Sequence, residues 1–385
     1  MGKMAAVLIA AVLLSCTLAV SVNAANTTSG FPVPAYFVLG DTFVDGGNNN
    51  FIASNVPKAN FKPYGITYFK GIPTGRFSDG RIFSDLQAVP FKLSLAVPSL
   101  SSPTDLQKKT SINYASGGAG IFRTSSVAMG AGNAISFENQ VIAYETYAAD
   151  VIFQFGADEA MLSLSGAIYH VNFGSADILA YFTKPAYATT AGTVSKFIDG
   201  LAFEYQRMIE RLYLQGARKV VVFGVGPLHK SPQVVLLASK FQSSDGRRLC
   251  ASMDAAIRQL NRQLLHMVNV LNADNELGME HASLQLVFAD VYGAGLSIIK
   301  SPASHGLTDV KNACCGAGKY GAEVACGTPG HKVCRSPSKS LYWNDMQFTE
   351  MGNKRLFKLF FDGSRYITPF SIKHLAKMLI PGVPY

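Results

Sequence analysis

Features that would assign this chain to several familiar classes of protein are missing from its sequence. The formal net charge is +9, yet no run of Lys and Arg is interleaved with aromatic residues, so nucleic-acid binding is not predicted. After residue 24, no apolar run reaches the roughly 20 residues that a membrane-spanning helix needs. The mature chain is therefore expected to be soluble, with a basic surface and no membrane span.

The sequence also lacks the signs of a divided chain or of a cofactor-binding chain. It has no Pro/Ser/Gly-rich linker, charge block or internal repeat, which favours a single domain over residues 25–385. The segment Gly224-Val225-Gly226-Pro227 follows an apolar run but has no third glycine, and its Pro suits a turn rather than a dinucleotide-binding loop. No cofactor is predicted.

Residues 1–24 have the pattern of a secretory signal peptide. Lys3 supplies a positive start, residues 4–20 are apolar, and Val22-Asn23-Ala24 is a cleavage site of small residues. A membrane anchor is the alternative, but the apolar run is short for one. The sequence thus predicts a protein of the secretory pathway, with a glycosylation sequon at Asn26.

Four cysteines are clustered near the carboxyl end of the sequence, namely Cys314, Cys315, Cys326 and Cys334. A zinc site is one reading of this spacing, but no paired His accompanies the cluster. An exported chain favours disulfides instead, so disulfides are predicted and no metal is. Cys250 stands apart from the cluster.

Apolar runs that resemble strands alternate with segments of helical periodicity. Buried parallel strands are predicted at 36–39, 112–115, 167–173, 220–224 and 284–289. Helices are predicted at 138–155, 194–215, 249–275 and 349–360. The alternation indicates an α/β fold, a three-layer α/β/α sandwich around a mainly parallel sheet.

The first apolar run ends abruptly in Gly40-Asp41-Thr42. This order places a small hydroxyl residue on the turn at the carboxyl end of a strand, where open α/β sheets bind their ligands. Three further blocks lie downstream of it. The blocks are GDT at 40–42 with NNN at 48–50, GRFSDGR at 75–81 with NYASGGAG at 113–120, FGSAD at 173–177, and YWNDMQFTE at 342–350.

In content, order and spacing these blocks resemble the plant GDSL (SGNH-hydrolase) esterase/lipase family. The resemblance covers essentially the whole mature chain. It implies the SGNH-hydrolase fold, which is flavodoxin-like, and a family activity of carboxylic-ester hydrolysis. For an exported plant protein it leaves the extracellular space, the apoplast, the vacuole and the ER lumen as possible locations.

The resemblance also assigns catalytic positions, and this chain departs from the family at most of them. Thr42 stands at the position of the nucleophilic Ser, and Gly117 at that of the oxyanion-binding Gly. Ala176 replaces the oxyanion-binding Asn. Asn344 replaces the orienting Asp, and Gln347 replaces the His that accepts the proton.

Each replacement removes part of the chemistry. The β-methyl of Thr42 crowds the path of attack, and an amide such as Gln347 is not a base near neutral pH. Ala176 removes an oxyanion donor whose loss costs about 10²–10³ in rate. No histidine lies in a segment that the family places at the site. Asp345 lies one position from the Asp slot, and structural roles are expected for Asp41 and Asp177.

The predicted function is therefore that of a GDSL-like protein without ester-hydrolase activity. It would act as a binding or scaffold protein, with a small acyl or lipid ligand or with a protein partner. The alternative is an active ester hydrolase or acyltransferase that uses Thr42 as nucleophile with an unrecognised base.

The resemblance also bears on Cys250. The family reads Gly-Pro-x-Gly-Cys-x-Pro where this chain has Lys230 at the Cys position. The partner of that missing Cys would lie near Cys250. Cys250 is therefore expected to be a free thiol.

Overall fold

The computed structural model describes residues 31–380, apart from residues 32, 105, 106, 108, 109 and 277–282. The proposed signal peptide at 1–24 and the sequon at Asn26 lie outside the described residues. Within that part of the chain, no helix is long and apolar enough to cross a membrane.

Strands and helices alternate along the chain. The strands are β1 Tyr36–Gly40, β2 Val97–Pro98, β3 Ser111–Asn113, β4 Ile168–Asn172, β5 Lys219–Phe223, β6 Gln285–Ala289, β7 Asp309–Ala313, β8 Cys315–Gly316, β9 Lys332–Val333, β10 Ser340–Tyr342 and β11 Ile367–Thr368. The α-helices are α1 Phe83–Ala88, α2 Arg123–Ala128, α3 Phe137–Phe155, α4 Ala157–Gly166, α5 Ser175–Thr183, α6 Pro185–Ala191, α7 Val194–Leu214, α8 Pro232–Ala238, α9 Ser243–Glu276, α10 Val291–Lys300, α11 Glu350–Phe361 and α12 Ile372–Lys377. Short 3₁₀ helices occur at Asn48–Phe51, Val89–Phe91, Ser99–Ser101, Leu228–Lys230, Pro302–His305, Lys319–Gly321 and Pro337–Lys339.

One seven-stranded sheet runs through the molecule in the order β11-β6-β5-β4-β1-β3-β2. All neighbouring strands in it are parallel except β11, which pairs antiparallel with β6. The chain crosses from β1 to β3 on one side and then returns to β4 on the other. The strand order therefore reverses between β1 and β4, which is the topological switch point where such sheets bind ligands.

Side chains alternate between two cores, one on each face of the sheet. In β1, Phe37 and Leu39 pack on one face while Tyr36 and Val38 pack on the other. The first face is covered by helices such as α3, α7 and α9, and the second by helices such as α1, α11 and α12. The predicted three-layer α/β/α fold is confirmed.

The buried strands and long helices fall where the sequence predicts them, within a few residues. The largest difference is at α9, which begins at Ser243 rather than at Leu249. Its apolar stripe is buried and faces the sheet, as the spacing of three and four residues predicts. The stripe consists of Met253, Ile257, Leu260, Leu264, Val268 and Leu271.

His170 lies at the centre of β4 with no exposed surface. Its Nδ1 is 3.0 Å from Oε1 of Gln87, and its ring stacks on Phe223 at 4.0 Å between ring centres. Burial lowers the pKa of His170 to about 3. The imidazole is therefore neutral in the folded protein.

We expect this burial to make the protein acid-sensitive. An unfolded His titrates near pH 6.5, so the unfolded state takes up the proton first as the pH falls. Relative to the non-titrating variant His170→Gln, the native chain should lose about 2–3 kcal/mol of unfolding free energy between about pH 6.5 and 4.5. Urea unfolding of both proteins at a series of pH values measures this difference. Parallel curves would contradict the expectation.

Candidate active site

A cavity of about 540 Å³ opens at the carboxyl ends of β1, β4 and β5. Thr42 follows β1, Ala176 follows β4, and Gly226 follows β5, so the switch point forms its floor. The loop 344–348 lies on the opposite wall. The structure thus brings Thr42, Ala176, Asn344 and Gln347 together around one space, although Thr42 and Gln347 are 305 positions apart in the chain.

The hydroxyl of Thr42 is engaged by the main chain. Its Oγ1 accepts a hydrogen bond of 2.9 Å from the N–H of Gly118. Gly118 has a φ of +85°, and a Cβ there would lie 2.6 Å from that of Ala131, so only glycine fits. Among the described residues, no His, Lys or carboxylate forms a hydrogen bond with this hydroxyl.

Gly117 does not line the cavity, although the resemblance assigns it the oxyanion position. Its N–H donates to Oδ2 of Asp45 at 2.8 Å. The same carboxylate accepts from the N–H groups of Gly47 and Asn48, and burial raises its pKa to about 6. The N–H that faces the cavity is therefore that of Gly118, one residue further along the chain.

Asn344 is held by three hydrogen bonds. Its Oδ1 accepts from the N–H groups of Met346 and Gln347, at 3.0 and 2.7 Å. Its Nδ2 donates to the hydroxyl of Tyr64 at 3.2 Å. The amide thus closes the turn that carries Gln347 and has no direct bond to the side chain of Gln347.

Asp41 is buried beneath the cavity floor, with 2% of its surface exposed. Oδ1 accepts from the N–H of Phe43 at 3.0 Å, and Oδ2 has no hydrogen-bond partner of normal geometry among the described residues. Burial raises the pKa of Asp41 to about 6, while Phe43 and the neighbouring Ser175 oppose the rise. The expected structural role at the turn fits the bond to Phe43.

Asp177 has a structural role of the kind expected. Its two carboxylate oxygens accept from the N–H groups of Ile121 and Phe122, at 2.8 and 3.1 Å. These bonds fasten the start of α5 to the loop that follows β3. Asp177 does not line the cavity.

The wall that carries Asn344 and Gln347 is fixed by two disulfides, Cys314–Cys334 and Cys315–Cys326. The N–H groups of Cys314 and Cys315 donate to the carbonyl oxygens of Tyr342 and Trp343. The fully buried Trp343 packs in the same cluster. The predicted disulfides are confirmed, and they support the loop beside the cavity.

The remaining blocks hold the floor together. Asn48 donates from its amide to the carbonyl oxygens of Asn113 and Ala115, while Asn49 binds the carbonyl oxygen of Gly117. Arg81 forms an ion pair of 2.8 Å with Glu350, at the start of α11. The blocks therefore join distant loops around the cavity.

Cys250 is a free, half-buried thiol, in agreement with the expectation. Its Sγ lies 4.0 Å from the carbonyl oxygen of His229. Burial raises its pKa. The described residues contain no group of three or more His, Cys, Asp and Glu side chains that could hold a metal ion.

Sequence reasoning did not single out several residues of the cavity. Gly118 is adjacent to Gly117 in a Gly-Gly pair, and the sequence does not show which of the two N–H groups bonds to Thr42 and which to Asp45. Asn172 precedes the FGSAD block and Ser175 lies within it, and both line the cavity floor with Asp41 and Ala176. The end of a buried strand in an α/β pattern was the available signal for both residues.

These features define a class of protein, namely an α/β/α sandwich with a ligand cavity at the switch point between β1 and β4. Sequence comparison identifies the family. The profile of the GDSL-like lipase/acylhydrolase family matches residues 36–360, and this chain belongs to that family.

Similar proteins come from Arabidopsis thaliana. GDSL esterase/lipase At1g29660 is 31% identical over 351 residues, which cover 90% of this chain and 92% of that protein. GDSL esterase/lipase At2g19060 is 32% identical over 351 residues, covering 90% and 93%. GDSL esterase/lipase 6 is 28% identical over 370 residues, covering 94% and 96%.

Proposed function

We propose that this chain is a GDSL-family protein of the secretory pathway that does not hydrolyse esters and uses its cavity to bind an apolar ligand. The observation that carries the proposal is the environment of Thr42. Its hydroxyl accepts a bond from the N–H of Gly118, and no described residue acts on it as a base.

The positions taken from the family resemblance support the same conclusion. Gln347 stands at the base position and is not basic, and Asn344 carries no charge that would stabilise an imidazolium. In a catalytic triad, loss of the nucleophile or the base costs about 10⁶ in rate. Ala176, at the position of the oxyanion-binding Asn, offers no side-chain donor to an oxyanion.

The oxyanion site is altered as well. We infer that Gly118, rather than Gly117, occupies the position of the oxyanion-binding Gly, because its N–H points at the hydroxyl of Thr42. A substrate oxyanion would have to compete with that hydroxyl for the N–H. This competition further reduces the stabilisation that the site offers to a transition state.

The cavity itself supports a binding role. Its wall is mostly apolar, with Phe43, Phe77, Leu179, Met346 and Phe348 among the lining residues. A space of 540 Å³ lies within the range of small-molecule sites. The names of the relatives, GDSL esterase/lipase, suggest an acyl or lipid ligand. A scaffold role toward a protein partner is a further part of this proposal.

Location in the secretory pathway is proposed from two features. The leader at 1–24 has the pattern of a signal peptide. The two disulfides fit an oxidising compartment such as the extracellular space or the ER lumen.

Enzyme assays test the proposed loss of activity. We expect purified protein of residues 25–385 to release p-nitrophenol from p-nitrophenyl acetate and butyrate no faster than its Thr42→Ala variant. Thr42→Ser is the matched control, and it should remain equally inactive because it removes the β-methyl group and keeps the hydroxyl but supplies no base. Hydrolysis that disappears in Thr42→Ala would refute the proposal and favour an active hydrolase or acyltransferase.

A further inference from the structure

The charge of the cavity is unusual for a site expected to take acyl ligands. Among the described residues that line it, two are acidic, Asp41 and Asp345, and none is His, Lys or Arg. The nearby Lys58 is engaged elsewhere, because its Nζ donates to the carbonyl oxygens of Asn49 and Ile52. No cation of the lining therefore offsets the two carboxylates.

Asp345 has no side-chain partner in the described part of the chain. Its carbonyl oxygen accepts from the N–H of Gln233 at 3.0 Å, which fixes the backbone against α8. Burial raises the pKa of its carboxyl. The carboxylate is thus held at the wall of a mostly apolar cavity without a counter-ion.

One more acceptor oxygen on the cavity floor lacks a donor. Oδ1 of Asn172 is buried without a hydrogen-bond partner, whereas the carboxyl of the neighbouring Asp41 is stabilised by the N–H of Phe43 and by Ser175; the two residues are 5% and 2% exposed. They lie at the ends of adjacent strands, since the N–H of Asp41 donates to the carbonyl oxygen of Asn172 at 3.1 Å. Buried acceptors of this kind cost free energy unless a donor reaches them.

We propose that the cavity binds an apolar amine in its ammonium form, with the hydrocarbon part against the aromatic and aliphatic wall. An ammonium group supplies a positive charge for a lining that has two carboxylates and no cation, and its N–H groups are donors that an oxygen such as Oδ1 of Asn172 lacks. A fatty-acid carboxylate would face Asp345 and Asp41 without a cationic partner. The inference rests on the proposed binding function and specifies its ligand class.

Three probes with the same hydrocarbon chain separate charge from hydrophobicity. Octylamine, octanol and octanoate are titrated into the protein by calorimetry at about pH 7.5, above the pKa of Asp41. We expect octylamine to bind at least about tenfold more tightly than octanol, which corresponds to about 1.4 kcal/mol. No binding of octanoate is expected. Equal affinities, tighter binding of octanoate, or no binding of octylamine would overturn the proposal.

Matched variants locate the charge. Asp345→Asn keeps the shape of the side chain and should weaken octylamine about tenfold while leaving octanol unchanged. Asp362→Asn removes an exposed carboxylate far from the cavity and should change neither affinity. An unchanged octylamine affinity in Asp345→Asn, with the thermal midpoint preserved, would refute the role of Asp345.

The ester-hydrolysis assay is independent of this ranking. Hydrolysis that depends on Thr42, together with preferential amine binding, would overturn the proposed loss of activity and leave the ligand class intact. Absence of hydrolysis, together with preferential binding of octanoate, would overturn the proposed ligand class and leave the proposed loss of activity intact.

Discussion

Introducing the residues that the family resemblance implies at four positions, by Thr42→Ser, Ala176→Asn, Asn344→Asp and Gln347→His together, is expected to raise kcat/KM for p-nitrophenyl butyrate at least about 10³-fold. The change supplies a base, an orienting acid and an oxyanion donor in one step. The cavity already brings the four positions together, so no rearrangement of the fold is required.

The turn that carries position 347 is built by the main chain. The carbonyl oxygen of Gln347 accepts from the N–H of Trp343 at 2.7 Å, and the disulfide-supported loop holds both residues. An Asp at position 344 keeps the Oδ1 acceptor that closes the turn, and its second oxygen faces the hydroxyl of Tyr64. The two substitutions there should therefore preserve the backbone.

Two controls make this prediction specific. The variant without Gln347→His should remain at the native rate, because the nucleophile still has no base. The variant with Thr42→Ala in place of Thr42→Ser should also be inactive. A folded fourfold variant with no gain in rate would contradict the prediction and would show that the surrounding cavity has also diverged.

Removal of the Asp85 carboxylate is expected to cause the largest loss of stability, about 3–5 kcal/mol of unfolding free energy in Asp85→Ala. Asp85 forms a bidentate ion pair with Arg76 through two contacts of 2.8 Å, and the side chains are 2% and 9% exposed. The variant leaves the guanidinium buried without its hydrogen-bonded counter-ion, and only the charge of the Asp45 carboxylate then offsets it. The N–H of Ile82 donates to Oδ2 of Asp85, and it loses this acceptor in the variant.

The ion pair also supports the candidate site. Nη1 of Arg76 donates to the carbonyl oxygen of Gly46 at 3.0 Å, beside the Asp45 carboxylate that accepts from Gly117. Loss of the pair should therefore loosen the loop that precedes the cavity floor. Denaturant unfolding monitored by circular dichroism measures the change in free energy.

A double variant and a surface pair serve as controls. Arg76→Met with Asp85→Leu removes both charges and should recover much of the lost stability. Asp362→Ala breaks an exposed ion pair with Lys373 and should cost less than about 1 kcal/mol. A loss in Asp85→Ala no larger than that in Asp362→Ala would contradict the expected role of the buried pair.

Much of the fold was predictable because its signals are local. Strand β5, for example, is a run of valines ending in Phe223, buried on both faces, and such runs are typical of parallel sheets. Helix α9 was less well bounded, because Ser243 to Arg248 has little apolar periodicity and its helical form depends on continuity with the buried stripe. The short strands β7 to β10 were missed because backbone pairing and the disulfide cluster define them, rather than a hydrophobic pattern.

The candidate site was only partly predictable. The resemblance assigned Thr42, Ala176, Asn344 and Gln347 to one site, and the structure places all four around the cavity. Gly117 is different, because it does not line the cavity. Its N–H donates to Asp45, a partner that lies 72 positions earlier in the chain and that no local pattern indicates.

By itself, the sequence determined the fold class, the family and the disulfide-forming cysteines, because periodicity and residue identity carry that information. Only the tertiary structure decided the pairing of the cysteines, the engagement of Thr42 by Gly118, and the position of two carboxylates in a cavity lining without a cation. Each of these depends on contacts between residues that are far apart in the sequence. Such contacts exist only in the folded chain, and no segment read alone contains them.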